Sequence, residues 1–159
     1  MAVIELSTVI RAPRERVFDL TRSIEAHQDS TGGTEERAVA GVTKGLIGMD
    51  GEVTWEARHF GVKQRLRVRV TVFDRPRHFQ DVMISGAFKT MAHDHRFAEH
   101  PEGTLMSDRF EFRSPLGILG KVADWLFLTS YMRRFIVRRN EVLKHLAESA
   151  EWSRYLEHT

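Results

Sequence analysis

One segment narrows the possible folds more than any other. Residues 63–73, KQRLRVRVTVF, alternate cations with aliphatic side chains. In an extended chain Leu66, Val68, Val70 and Val72 fall on one side, and Arg65, Arg67 and Arg69 on the other. A period of two excludes a helix there and predicts a strand with one buried and one wet face. Such a sheet needs something apolar to cover it.

The cover is legible further along. After Pro115 the period turns helical, and Val122, Leu126, Thr129, Met132, Ile136, Arg139, Leu143, Leu146 and Ala150 trace one stripe over about 30 residues. At 1.5 Å per residue such a helix spans about 45 Å, enough to cross a whole sheet. Between the two lie further candidate strands at 37–40, 52–60, 79–85, 89–98 and 104–113, separated by Gly, Asp and Pro turns. Connections this short favour an antiparallel meander. Residues 3–10 read as an opening strand, 13–26 as one amphipathic helix starting at Pro13, and 27–34, HQDSTGGT, as a loop. The expected class is α+β: a curved antiparallel sheet of six to seven strands around a long C-terminal helix. A hollow between them is a typical ligand site.

At 159 residues the chain fits one domain over 1–159, with a core at about 3–147 and a tail at 151–159. With 42% hydrophobic and 29% charged residues, it is neither disordered nor fibrous. No apolar run reaches the ~18 residues of a membrane span, and the first residues lack the pattern of a secretory leader. The absence of cysteine excludes disulfides, thiolate metal sites and cysteine nucleophiles, and leads us to expect a cytoplasmic setting. A net charge of +2 does not call for nucleic acid, and none is expected as a partner.

Strand parity identifies the inner face. Val53, Trp55, Ala57 and His59 share it on one strand; Phe79, Asp81 and Met83 on another. Met91, His93, His95 and Phe97 follow on the third, then Met106, Asp108, Phe110 and Phe112 on the last. A hairpin centred near Ala87 sets Asp81 opposite His93. One centred near Pro101 sets His93 or His95 opposite Asp108. The expected result is a carboxylate–imidazole line across three strands. We expect the wall of the hollow to include Trp55, Leu66, Val68, Val70, Met83, His93, His95, Met106, Asp108, Phe110, Met132, Ile136 and Arg139.

The line has three readings. Its members satisfy one another and fix strand register; or His93 or His95 moves a proton on a bound carbonyl compound, with Asp108 and Asp81 in support; or His-x-His with Asp108 holds a metal. The first leads, so no metal or cofactor is expected. Trp55, Phe79, Phe97, Phe110 and Phe112 read first as core, His59 as a turn-proximal histidine, and His27 and Ser30 first as solvated loop, with the border of the pocket mouth as the alternative. From Lys121 to Lys144 six basic residues face Asp124 and Glu141, a net +4. That run is a solvated face or the footprint of an anionic surface, so peripheral membrane contact stays open. Arg139, on the apolar stripe, is expected to turn inward and meet a carboxylate.

The order and spacing of several stretches resemble the SRPBCC superfamily, which includes START lipid-transfer domains, polyketide cyclases and birch-pollen-allergen-type proteins. The stretches are APRERVFDL (12–20), GEVTWEARHFGV (51–62), FDRPRHFQD (73–81), HDHRF (93–97), GTLMSDRFEFRSPLGILG (103–120) and the paired arginines of the final helix. The resemblance spans about residues 3–147, closest to small stand-alone bacterial members. It implies a helix-grip fold binding a lipid, polyketide, isoprenoid or aromatic compound, with a cyclase, dehydratase or hydrolase as the catalytic alternative. The glycines of 41–51 occupy the place of an allergen-type glycine loop with different spacing; they match no phosphate-binding motif. The resemblance is silent on oligomeric state.

Overall fold

The computed structural model describes residues 1–115, 117, 118, 122 and 127–157. Seven strands form one antiparallel sheet: β1 (Ala2–Ile10), β2 (Arg37–Gly41), β3 (Glu52–His59), β4 (Val62–Asp74), β5 (His78–Ser85), β6 (Thr90–His100) and β7 (Gly103–Arg113). Their order is β1-β7-β6-β5-β4-β3-β2, so the chain crosses once, between β1 and β2, and otherwise runs as a meander. That crossing carries α1 (Arg14–Thr21) and α2 (Ile24–Ser30). The long helix α3 (Thr129–Glu148) follows the sheet, then a 3-10 turn (Ala150–Trp152) and the short α4 (Ser153–Leu156). Among the described residues, no helix is long and apolar enough to cross a membrane.

The segment expected to be one helix is two. Ser23 breaks it: its hydroxyl accepts from Ala26 N at 3.2 Å and caps α2, while its backbone bridges to Leu46. The second helix then absorbs His27 and Ser30, which are not loop residues. Ser30 is buried, its hydroxyl donating to the His27 carbonyl at 2.8 Å.

In β4 the alternation holds through Val70, with Arg65, Arg67 and Arg69 outside. A bulge at Thr71 then shifts the register, since Val70 pairs with Asp81 but Val72 with Gln80. One extra residue swaps the faces. Phe73 therefore packs into the core, edge-on to Phe18 at 5.5 Å, in the place expected for Val72.

The β3–β4 hairpin turns through Phe60 and Gly61 alone, with φ of 55° and 74°. Two successive positive φ values suit a two-residue hairpin, but a bulky side chain rarely adopts one. Phe60 is held there against Tyr131, ring centroids 4.6 Å apart, and Phe127 at 5.4 Å.

The stripe of α3 packs Ile136, Arg139, Leu143 and Leu146 inward. Val122 and Ala150 do not follow it: Val122 is exposed, and Ala150 lies exposed in the 3-10 turn after Ser149 interrupts the helix. Leu126, Lys121 and Asp124 lie outside the described residues. The C-terminal end of α3 is pinned at three points. Lys144 Nζ donates to the Val9 carbonyl (2.8 Å), Arg16 Nη1 to the Ala147 carbonyl (3.1 Å) and Arg11 N to Glu148 (2.9 Å). The last carbonyls of a helix have no intrahelical donor, so the Arg16 cation suits Ala147. The tail is docked as well. Trp152 lies under the Arg16 guanidinium at 4.2 Å, and Tyr155 donates to Asp29 at 2.5 Å.

The core has two parts. One lies under α1 and the end of α3, around Phe18, Phe79, Phe97 and Met106. The other lies under the start of α3, around Trp55, Val68, Phe110 and Ile136. The second does not close completely, and that is where the site lies.

Candidate functional site

A cavity of about 280 Å³ lies between α3 and the inner face of β3 to β7. Its walls are mostly apolar: Trp55, Ala57, Leu66, Val68, Phe88, Met91 and Phe110, closed by Met132, Phe135 and Ile136 of the helix. Ala57 leaves room because a small side chain stands where its strand neighbour carries Trp55. A smaller hollow of about 70 Å³ continues beneath α2, and Asp81, His93 and Arg139 border both.

The polar seam at the base is the expected line with its bonds crossed. Asp81 pairs across the strands with His93, and His95 with Asp108. Yet His93 Nε2 bonds Asp108 Oδ1 (2.8 Å) and His95 Nε2 bonds Asp81 Oδ1 (2.9 Å). The two imidazoles lie nearly against each other, ring centroids 3.8 Å apart. From α3, Arg139 Nη2 donates to Asp108 Oδ1 (3.0 Å) and Asn140 Nδ2 to Asp108 Oδ2 (2.7 Å). Arg139 Nε and Nη2 also reach Asn140 Oδ1 at 3.2 and 3.0 Å. Asp108, with its side chain 1% exposed, thus meets donors from β6 and from the helix.

The protonation pattern follows from these partners. Burial alone would raise the Asp108 pKa, but the Arg139 charge and the two adjacent histidines hold it well below the usual carboxylate range. Burial likewise works against ionised Asp81, and the His95 bond reverses it. His95 faces two carboxylates, with Nδ1 also 3.3 Å from Asp108 Oδ1 but without hydrogen-bonding alignment. Desolvation opposes its charge, yet the neighbouring carboxylates of Asp108 and Asp81 raise its pKa. His93 goes the other way. Burial and the neighbouring charge of His95 lower it to about 4, against the pull of Asp108. Near pH 6, below the ordinary histidine value that His95 exceeds and above that of His93, the seam therefore holds two carboxylates, two cations (His95 and Arg139) and one neutral imidazole. Its net charge is zero.

Because Asp108 is ionised, it can only accept, so neutral His93 carries its proton on Nε2. Nδ1 is then a bare acceptor. It has no partner among the described residues, and His93 lines the cavity.

The outer end of the cavity has its own polar pairs. His27 stacks on Trp55 at 4.1 Å and bonds Glu36 (2.8 Å). His59 Nδ1 bonds the Tyr131 hydroxyl (2.6 Å), and burial lowers the His59 pKa. Both histidines line the cavity, so neither His27 as solvated loop nor His59 as an ordinary turn residue survives.

Of the expected wall, Trp55, Leu66, Val68, His93, Phe110, Met132, Ile136 and Arg139 line the main cavity, and Val70 and His95 the smaller one. Met83, Met106 and Asp108 line neither. Met83 stays on the inner face opposite Val68 but packs against the core outside the hollow, Met106 is packed under Thr21 with its sulfur 3.7 Å from the hydroxyl, and Asp108 is covered by its own partners. Arg139 turns inward as expected, but the carboxylate it meets is the protein's own. Asn140 went unnoticed in the sequence. It falls four residues after Ile136 and three before Leu143, so helical spacing places it on the buried stripe.

One group among the described residues has spacing suited to a cation: ligand atoms of Asp81, His93 and His95 lie within 4.8 Å of one another. Asp81, in place of the expected Asp108, completes that set. A metal there would have to displace the proton that joins His95 to Asp81.

Comparison with known proteins places this geometry. A search of curated proteins finds no match. Among solved structures, TTHA0849 from Thermus thermophilus is similar with a TM-score of 0.74 at 19% identity, covering 91% of this chain and 95% of that one. CV1439 from Chromobacterium violaceum follows at 0.72 and 18%, over 94% and 99%. The major latex-like protein 151 of Panax ginseng gives 0.69 and 13%, over 93% and 98%. These likenesses are of fold. The family model described as polyketide cyclase / dehydrase and lipid transport matches residues 1–151, so the chain belongs to that family within the SRPBCC superfamily.

Proposed function

We propose that the protein binds a small hydrophobic or amphipathic molecule in the cavity under α3. The observation that supports this most is an apolar hollow of about 280 Å³ with one neutral imidazole and one arginine at its base. Burial of apolar ligand surface at ~25 cal/mol per Å² supplies affinity, and the seam supplies orientation. A molecule of lipid, polyketide, isoprenoid or aromatic type has the required character.

A second reading draws on His93. A neutral imidazole with its tautomer fixed by a carboxylate is built to take a proton, as a cyclase or dehydratase requires. The exposed Arg133, Arg134 and Arg138 of α3 favour no partner by themselves.

Native mass spectrometry of freshly purified protein, followed by denaturing extraction, tests the first reading. The expected result is a co-purifying molecule, or uptake of added amphiphiles at 1:1, lost when Ala57→Trp fills the cavity. A wild type that neither carries nor takes up any such molecule contradicts it. Loss of turnover with retained binding in His93→Gln would favour the catalytic reading.

A further inference from the structure

We infer that the cavity recognises its ligand through a hydroxyl at the ligand's buried end (a phenol, enol or alcohol), which donates to His93 Nδ1. The inference rests on the reading of the cavity as a ligand site and names the chemistry it selects. His93 is 6% exposed and its ring borders the cavity. The bond from Nε2 to Asp108 leaves Nδ1 a lone pair and no hydrogen. A lone pair at a buried wall is satisfied only by a donor, and no described protein group provides one.

The surroundings exclude the other polar ends an amphiphile could bring. A carbonyl or ether oxygen would set lone pair against lone pair at Nδ1. A carboxylate would do the same, and would add a negative charge to a seam whose charges already cancel. Arg139 is not a free cation for such a group, because its Nη2 is committed to Asp108. Its Nη1 has no partner among the described residues, and Arg139 borders the same cavity. A hydroxyl oxygen that donates to His93 can accept from Arg139, so among carbonyl, ether, carboxylate and hydroxyl ends it is the one that matches one acceptor and one donor together.

The test compares three probes of one two-ring body on the intact protein by calorimetry at pH 7: 2-naphthol, 2-methoxynaphthalene and 2-naphthoate. The expected order places 2-naphthol about tenfold tighter than 2-methoxynaphthalene, with 2-naphthoate weakest. In His93→Phe the naphthol advantage disappears while methoxynaphthalene binding stays. Should that variant not fold, the wild-type ring carries the same information. The ¹⁵N resonance of His93 Nδ1 moves upfield when 2-naphthol binds and stays still with 2-methoxynaphthalene. Equal affinities for naphthol and methoxynaphthalene overturn the hydroxyl contact and leave cavity binding standing. Preference for 2-naphthoate overturns it in favour of anion recognition. Binding of none of the three overturns both the contact and the site.

Discussion

The sheet carries two arrays of carboxylates and cations, one on each face, and their difference locates the function. On the outer face Glu52 bonds Arg67 (3.0 Å) and Arg69 (2.8 Å), and Glu56 bonds Lys63 (3.1 Å) and Arg65 (2.9 Å). Hydrogen bonds from their arginine and lysine partners depress both glutamates, Arg67 contributing most at Glu52 and Lys63 at Glu56. These side chains stand in water, where screening leaves such pairs little net effect. On the inner face His93, His95, Asp108 and Arg139 form the same kind of array away from water, with Asp81 half-buried beside them. There a pair broken on one side leaves a buried charge uncompensated. Similar chemistry gives solubility outside and a fixed, neutral seam inside. The inner array borders the base of the cavity, whereas of the outer one only Arg65 also lines it.

The largest expected effect is on the inner side. Asp108→Ala removes the shared acceptor of His93, Arg139 and Asn140 and leaves the Arg139 charge without its carboxylate; it should destabilise the fold by about 3–5 kcal/mol in urea titration. Arg139→Met should cost less, about 2–3 kcal/mol, because Asp108 keeps its other donors. In a cycle with Asp108→Asn the double variant should lose less than the sum of the singles. Additive losses would mean that the seam is not one network.

A pH series sharpens the contrast. His93 titrates at about 4 when folded against about 6.5 unfolded. The unfolded chain therefore binds more protons between those values, and stability falls as pH drops from about 6.5 to 4. His95 has the opposite sign. Its raised pKa gives stability that is complete below about 6.5 and is lost as pH rises through the folded value. Asp81 and Asp108 add a further loss below the ordinary carboxylate pKa of 3.8. Urea midpoints should thus peak near pH 6–7, and His93→Gln should remove the limb between 6.5 and 4. The smallest effect belongs to the outer face: Glu52→Gln with Glu56→Gln should shift the midpoint slightly, and 0.5 M NaCl should erase the shift.

The inner array was legible because strand parity is a strict period of two. Reading Lys63–Phe73 as one-sided placed Asp81, His93, His95 and Asp108 together, and turn positions paired the strands correctly. Parity assigns faces, not bonds, so the crossed His93–Asp108 and His95–Asp81 contacts were not readable. Val72 failed because a bulge leaves no mark in an alternating run. The break between α1 and α2 depends on Ser23 acting as a cap, which its neighbours do not announce. His27 and Glu36 reach the cavity from polar, aperiodic sequence, where tertiary packing alone decides burial. Asn140 lay on a readable stripe and was obscured by being polar.

The account rests on one neutral and one charged imidazole side by side at the cavity base. Long-range ¹H–¹⁵N spectra of the two rings between pH 3 and 8 test that directly. The prediction is a His95 protonated on both nitrogens at pH 6, beside a His93 protonated on Nε2 alone that gains its second proton near pH 4. A His93 that titrates at its ordinary value near 6.5, or two neutral rings at pH 6, would contradict it.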